Sequence, residues 1–154
     1  MKGNEKILAT LNNLLAGEIS AISQYMLHSE MCKNWGYDKL HDTVEKRAID
    51  EMKHAEKLMG RILYLEGSPI VNKINPMHIG AKVEEQFNND RVLETETVQN
   101  YNAAIKEASD LVDNGTRDLL VNILLDEENH VDWLETQLNQ ITQMGIENYL
   151  SLQV

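Results

Sequence analysis

Apolar side chains recur at helical spacing in four long stretches of this chain, and polar or glycine-containing breaks separate them. In the first stretch Asn4 is placed to cap a helix, and Leu11, Leu14, Leu15, Ile22 and Tyr25 share a stripe until Asn34-Trp35-Gly36 interrupts it. The second begins near Asp38, carries Leu40, Val44, Ala48, Ala55, Leu58 and Ile62 on one face, and stops at Gly67-Ser68-Pro69. The third runs from about Val83 through Phe87, Val98, Tyr101, Ile105, Ala108 and Val112 to a predicted break at Asn114-Gly115. The fourth places Leu120, Ile123, Leu124, Val131, Leu134, Leu138 and Ile141 on its stripe and ends at Met144-Gly145. A short amphipathic tail, Ile146 to Leu152, predicts a fifth helix.

The turns inside each half are short, so the first and second helices run antiparallel, as do the third and fourth. Between Gly67 and about Lys82 lies the one sizeable connection, with Pro69, Asn72, Asn75, Pro76 and Gly80 and little periodicity. Its roughly 15 residues can stretch to about 50 Å, enough to pass beside a helix and start the next from the opposite end. The expected fold is all-α: one domain over residues 1–154, a four-helix bundle with one long crossover and a short fifth C-terminal helix.

Each of the four stripes is broken by one glutamate. Glu18, Glu51, Glu94 and Glu127 occupy slots that their own helices otherwise fill with apolar residues. Glu51 and Glu127 are each followed three residues later by a histidine, His54 and His130, so carboxylate and imidazole leave the same helix face. An offset of 76 residues carries Glu51 onto Glu127, His54 onto His130, Glu18 onto Glu94, Tyr25 onto Tyr101 and Asp50 onto Asp126. One helical hairpin occurs twice, and each glutamate pair stands nearly level about its turn. Carboxylates are almost never buried without a counter-charge, so four at one depth call for cations. A glutamate from each of two helices plus Glu-x-x-His from each of the other two is the carboxylate arrangement that holds two iron or manganese ions in bundles, and an oxygen-rich set with two nitrogens suits those metals.

Other polar residues carry less. Taken one at a time, a Glu on an apolar stripe is more often a solvated or lysine-paired residue than a ligand; the repeat overrides that here. Asp50 and Asp126, one step off the core line, read as solvated or capping residues. His28, His41 and His78 have no counterpart at the repeat distance and read as surface residues. Cys32 is alone, so it forms no internal disulfide and reads as a small buried hydrophobe.

The formal net charge of −11 argues against a nucleic-acid partner and favours cations. No run approaches a membrane span, and Met1 to Glu18 lacks the apolar stretch of a secretory signal, so the expected location is the cytoplasm.

Leu14-Leu15-Ala16-Gly17-Glu18, Asn34-Trp35-Gly36, Asp50-Glu51-Met52-Lys53-His54-Ala55, Arg61 to Gly67, Asp126-Glu127-Glu128-Asn129-His130 and Asp132-Trp133-Leu134-Glu135 together resemble the bacterioferritins, over essentially the whole chain. The resemblance implies a ferritin-like fold and a homo-oligomeric cage of 24 subunits. It implies a ferroxidase that oxidises Fe(II) with dioxygen or hydrogen peroxide at a di-iron centre and stores ferric mineral inside, possible reduction by a ferredoxin-type donor included. It implies Glu51 and Glu127 as bridging ligands, Glu18 and His54 on one iron, and Glu94 and His130 on the other. It also implies an electron-transfer role for Tyr25, and for Met52 the axial ligation of a haem b shared by two subunits. The residue pattern supports the last point, because Met52 leaves the core line and joins Ile49, Met59 and Leu63 on a second apolar stripe that a lone bundle has no use for. Lys46, where some members carry a histidine beside Asp50, and Leu58, where some carry an aromatic, depart from the family pattern; Trp133 remains available for an electron path. Two rival readings use the same residues: a di-iron oxidase or peroxidase acting on a small molecule, and a haem-carrying shell subunit without ferroxidase activity.

Overall fold

A computed structural model describes residues 1–154 as five helices and no strands: α1 (Glu5–Asn34), α2 (Asp38–Tyr64), α3 (Val83–Asp110), α4 (Asn114–Met144) and α5 (Ile146–Ser151). Asn4 caps α1 as its sequence predicts, its side-chain oxygen accepting from the Lys6 amide at 2.8 Å. Cross-helix contacts settle the topology. On α1 and α3, Glu18 meets Tyr101 while Tyr25 meets Glu94, so the two helices are antiparallel. Since α1 also runs against α2, helices α2 and α3 are parallel, and the segment between them is a crossover.

That segment is tied along α1 by a ladder of side chains. Asn12 accepts from the Ile70 amide, Ser20 from Asn75, Gln24 from His78 and His28 from Gly80, at 2.8 to 3.1 Å. The order of partners rises on both segments, so the crossover climbs α1 in the direction of the helix. Backbone groups that no helix or sheet can satisfy are thereby paired with α1 side chains. His28 is completely buried, which corrects the expectation of a surface residue. It lies 2.9 Å from an Asp90 oxygen through Nδ1 and accepts from Gly80 through Nε2, so both ring nitrogens are used. His41 is also buried, whereas His78 is exposed as expected.

The core is layered. Ile7, Leu11, Leu15, Leu58, Ile62, Tyr101 and Leu120 belong to an apolar cluster at one end, while Cys32, Leu40, Phe87, Leu134, Ile141 and Tyr149 form another at the far end, sealed by α5. The four glutamates lie between these layers. Cys32 is buried as expected, and burial, with the Asp90 charge, pushes its thiol up to about 11. No helix is long and apolar enough to cross a membrane.

Helix α3 ends earlier than its sequence predicts. Leu111 to Asp113 make the turn, and Asn114-Gly115 open α4, with Asp113 accepting from the Thr116 amide at 3.0 Å as the cap. The cause is a paired-carbonyl helix stop: Asp113 N–H donates to Ala108 and Val112 N–H to Ser109. The same stop closes α1, where Gly36 supplies the left-handed residue with φ 84°. The repeat places Val112 at that position with φ 58°, a conformation that a β-branched side chain resists. Val112 is 78% exposed, so little packing is lost by trimming it. Val112→Gly is therefore expected to raise the unfolding free energy by about 0.5–1 kcal/mol, the relief of left-handed strain exceeding the extra chain entropy of glycine. Guanidinium denaturation measures this, and an equal or lower midpoint would refute it.

Candidate metal centre

Glu18, Glu51, His54, Glu94, Glu127 and His130 are each at most 2% exposed, so all six residues singled out from the sequence come together inside the bundle. The helical pitch explains their convergence: one turn separates Glu51 from His54, and Glu127 from His130, so each pair projects as a unit from α2 or α4. The imidazole rings face each other with centroids 6.0 Å apart and planes inclined by 22°.

Around His54 Nδ1 stand three carboxylate oxygens: Glu51 Oε2 at 2.9 Å, Glu127 Oε1 at 3.0 Å and Glu18 Oε1 at 3.9 Å. Around His130 Nδ1 stand Glu51 Oε1 at 2.9 Å, Glu127 Oε2 at 3.0 Å and Glu94 Oε1 at 3.2 Å. Glu51 and Glu127 thus give one oxygen to each group, while Glu18 and Glu94 serve one group each. Within each set of four residues the possible ligand atoms lie within 4.8 Å of one another.

A nitrogen with one proton cannot satisfy three oxygens. Glu51 Oε1 and Glu127 Oε2 are buried with no aligned hydrogen-bond donor although His130 Nδ1 is close, because that nitrogen points towards Glu94 instead. Buried acceptors without donors are costly, and a cation among the four atoms removes the cost. One imidazole nitrogen and three carboxylate oxygens per position is a donor set for a borderline divalent ion such as Fe(II) or Mn(II). Two such ions match the charge of four carboxylates.

The electrostatics carry the same message. Burial, then the charges of Glu51 and Glu127, push the carboxyls of Glu18 and Glu94 well above the usual range. Burial opposes charge on Glu51 as well, yet the adjoining imidazoles of His130 and His54 hold it far below that range. Both imidazoles gain protons against the pull of burial. Glu127 and Glu51 raise His54 to about 10, and these two with Glu94 raise His130 to about 11. Protons gather where the geometry calls for cations.

Four further residues stand against this centre. Tyr25 donates its hydroxyl to Glu94, and Tyr101 donates to Glu18 from the equivalent place in the other half. Burial, followed by the adjoining carboxylate, raises both phenols, which keeps them donors. Tyr101 and the role of Asp126 were not singled out from the sequence, although the 76-residue offset marks them. Asp126 is half exposed but accepts from His54 Nε2 at 3.0 Å, and Asp50 lies 3.9 Å from His130 Nε2. Each aspartate therefore faces the histidine of the opposite helix, and the Asp126 contact fixes which nitrogen of His54 turns inward. Asp50 and Asp126 are thus more than the solvated or capping residues that the sequence predicts.

Two openings approach from opposite seams. One, about 380 Å³, lies between α1 and α3 and is lined by Gly17, Glu18, Lys73, Asn75 and Tyr101 among others. The second, about 250 Å³, lies between α2 and α4 and is lined by Arg47, Asp50, Lys53, His54, Asp126 and His130 among others.

Residues 8–144 match the ferritin-like domain family. The chain is 40% identical to a bacterial ferritin of Synechocystis over 155 aligned residues, which span 100% of this chain and 99% of that one. It is 39% identical to a bacterioferritin of Mycolicibacterium paratuberculosis and 36% identical to one of Brucella melitensis, over 97% of its own length and 94% and 92% of theirs.

The shared and unshared oxygens make a distinguishing test. Removing Glu127 takes an oxygen from both positions, whereas removing Glu94 takes one from the His130 position alone. Calorimetric titration with Co(II) is expected to show two tight ions per chain in the wild type, none in Glu127→Ala and one in Glu94→Ala. Equal losses in the two variants would refute this division of labour.

Proposed function

Because this chain belongs to the ferritin family and, within it, to the bacterioferritins, we propose that Glu18, Glu51, His54, Glu94, Glu127 and His130 hold two Fe(II) ions while they are oxidised. The protein is an iron-storage protein and a ferroxidase: Fe(II) is its substrate and Fe(III) its stored product. One observation carries the assignment of residues, namely that Glu51 and Glu127 each split their two oxygens between two histidine nitrogens.

Oxidation of two Fe(II) releases two electrons, which dioxygen takes up with two protons to give hydrogen peroxide; peroxide, with two protons, accepts two electrons to give water. The protein's own contribution lies in its ligand field. Preorganised anions favour the ion of higher charge, and no reorganisation is needed as that charge develops. Tyr25 and Tyr101 orient the unshared carboxylates through their hydroxyls, while Asp126 orients the imidazole of His54. Tyr25, in contact with a ligand carboxylate, is an oxidisable side chain for an additional electron. The α1–α3 and α2–α4 openings give separate approaches for small reactants.

Haem b fits a second site. Met52 is 44% exposed, and Ile49 and Leu63 on the same stripe are also exposed, so the thioether stands free on an apolar surface. Thioether sulfur is a competent axial ligand, and when bound the haem supplies one-electron transfer. Two copies of this face related by a two-fold axis would present two Met52 side chains, and a homo-oligomeric cage of 24 subunits would use the remaining exposed apolar surface, including Val71 and Ile74 of the crossover. A ferredoxin-type reductant and a cytoplasmic location complete the proposed setting.

The six-ligand assignment predicts that Glu127→Ala and His130→Ala lower the initial rate of Fe(II) oxidation in stopped flow by at least about tenfold while the assembly elutes unchanged. Wild-type rates in both variants would refute it. Met52→Leu keeps the volume but removes the sulfur, and is expected to eliminate the haem absorbance of protein produced with ample haem. Retention of that absorbance would exclude Met52 as the ligand.

A further inference from the structure

At the far end of the bundle from the first apolar cluster, where α1 turns into α2, Glu30, His41 and Glu45 bring three ligand atoms within 4.8 Å of one another. His41 sits in the first turn of α2 and only 8% of it is exposed. Its Nδ1 is 3.1 Å from the Ser29 carbonyl oxygen. A carbonyl can only accept, so Nδ1 carries the proton, and in the neutral ring Nε2 is an acceptor with its lone pair free. That nitrogen faces Glu45 Oε2 at 3.8 Å, beyond hydrogen-bond distance, and no donor pairs with it. Glu30 and Glu45 are exposed, and neither forms an ion pair with a lysine or arginine. Three acceptors converge without a donor, and one of them is a buried ring whose orientation the Ser29 carbonyl fixes.

We infer that Glu30, His41 and Glu45 form a separate binding site for a divalent first-row transition ion. The imidazole is the preorganised ligand, held by a backbone carbonyl through its other nitrogen, as ligating histidines commonly are. One nitrogen and two carboxylates leave room for water on the ion, and the donor set selects a borderline cation over magnesium or calcium. Glu30 lies twelve residues beyond Glu18 on α1, or about 18 Å at 1.5 Å per residue, so no ligand is shared with the central site. Two of its three ligands must be ordered from solvent, so it binds more weakly than the buried centre.

Two measurements on the assembled wild-type protein test the site. In crystals soaked with Zn(II), an anomalous peak is expected about 2.0–2.1 Å from His41 Nε2. In solution, Co(II) absorption titrations of His41→Asn and of Glu45→Gln are each expected to saturate at one ion per chain fewer than wild type, with the ions at the four-glutamate centre retained. Glu45→Gln changes an exposed side chain, so the test survives if the buried His41 variant fails to fold. Wild-type and Glu45→Gln proteins taking up the same number of Co(II) ions would overturn the inference. So would Zn(II) binding at crystal concentration only, or a metal-free His41–Glu45 ion pair that Co(II) does not disturb.

Discussion

Four carboxylates enclosed at one depth of a narrow bundle repel one another, and their burial leaves little solvent to screen the repulsion. Everything around them answers that constraint. Glu51 and Glu127 take the two imidazoles as immediate counter-charges, leaving Glu18 and Glu94 to accept from Tyr101 and Tyr25. This metal-free network is only partly satisfied, since two carboxylate oxygens remain without donors. Half-satisfied buried networks are worse for stability than an apolar core would be. The glutamates therefore mark a place where the fold yields stability to function, and the apolar clusters on either side supply what holds the layer shut.

Much of this was legible in the sequence because it is written twice. The helical period located all four long helices, and the single glutamate in each apolar stripe located the centre. The 76-residue offset then separated ligands from ordinary polar residues. Where the repeat is imperfect, reading by repeat fails. His28 and His41 have no counterparts and were assigned to the surface, yet both are buried, because a crossover and a helix turn offer backbone groups for their rings to bind. The end of α3 was misplaced for a related reason. Gly36 announces the stop of α1, but Val112 makes the same turn without glycine, and an unfavourable φ leaves no mark in composition.

Asp50, Asp126 and Tyr101 are a different kind of omission. The offset pairs Tyr101 with Tyr25 and Asp50 with Asp126, but their roles depend on contacts between helices. Asp126 sits on α4 and serves the histidine of α2, a pairing that no spacing along either helix reveals. Tyr101 likewise serves Glu18 across the α1–α3 seam. Sequence periodicity places a residue on a face; only the register between antiparallel helices decides what it meets there.

That register also makes the two halves unequal. Asp126 is within hydrogen-bond distance of His54, whereas Asp50 stands 3.9 Å from His130. The inner nitrogens of the two imidazoles thus differ in the support they receive from behind, although the sequences that present them are related by one offset. A histidine backed by a carboxylate is held in one orientation, so the His54 ring is fixed from behind by a contact that His130 lacks. The outer nitrogens open onto the same small cavity as Asp50 and Asp126, between α2 and α4. On the α2–α4 side the imidazoles are consequently the link through which the enclosed carboxylates sense solvent, as Glu18 is on the α1–α3 side. The sequence repeat sets out two equivalent positions, and the packing of two helices sets them in different surroundings.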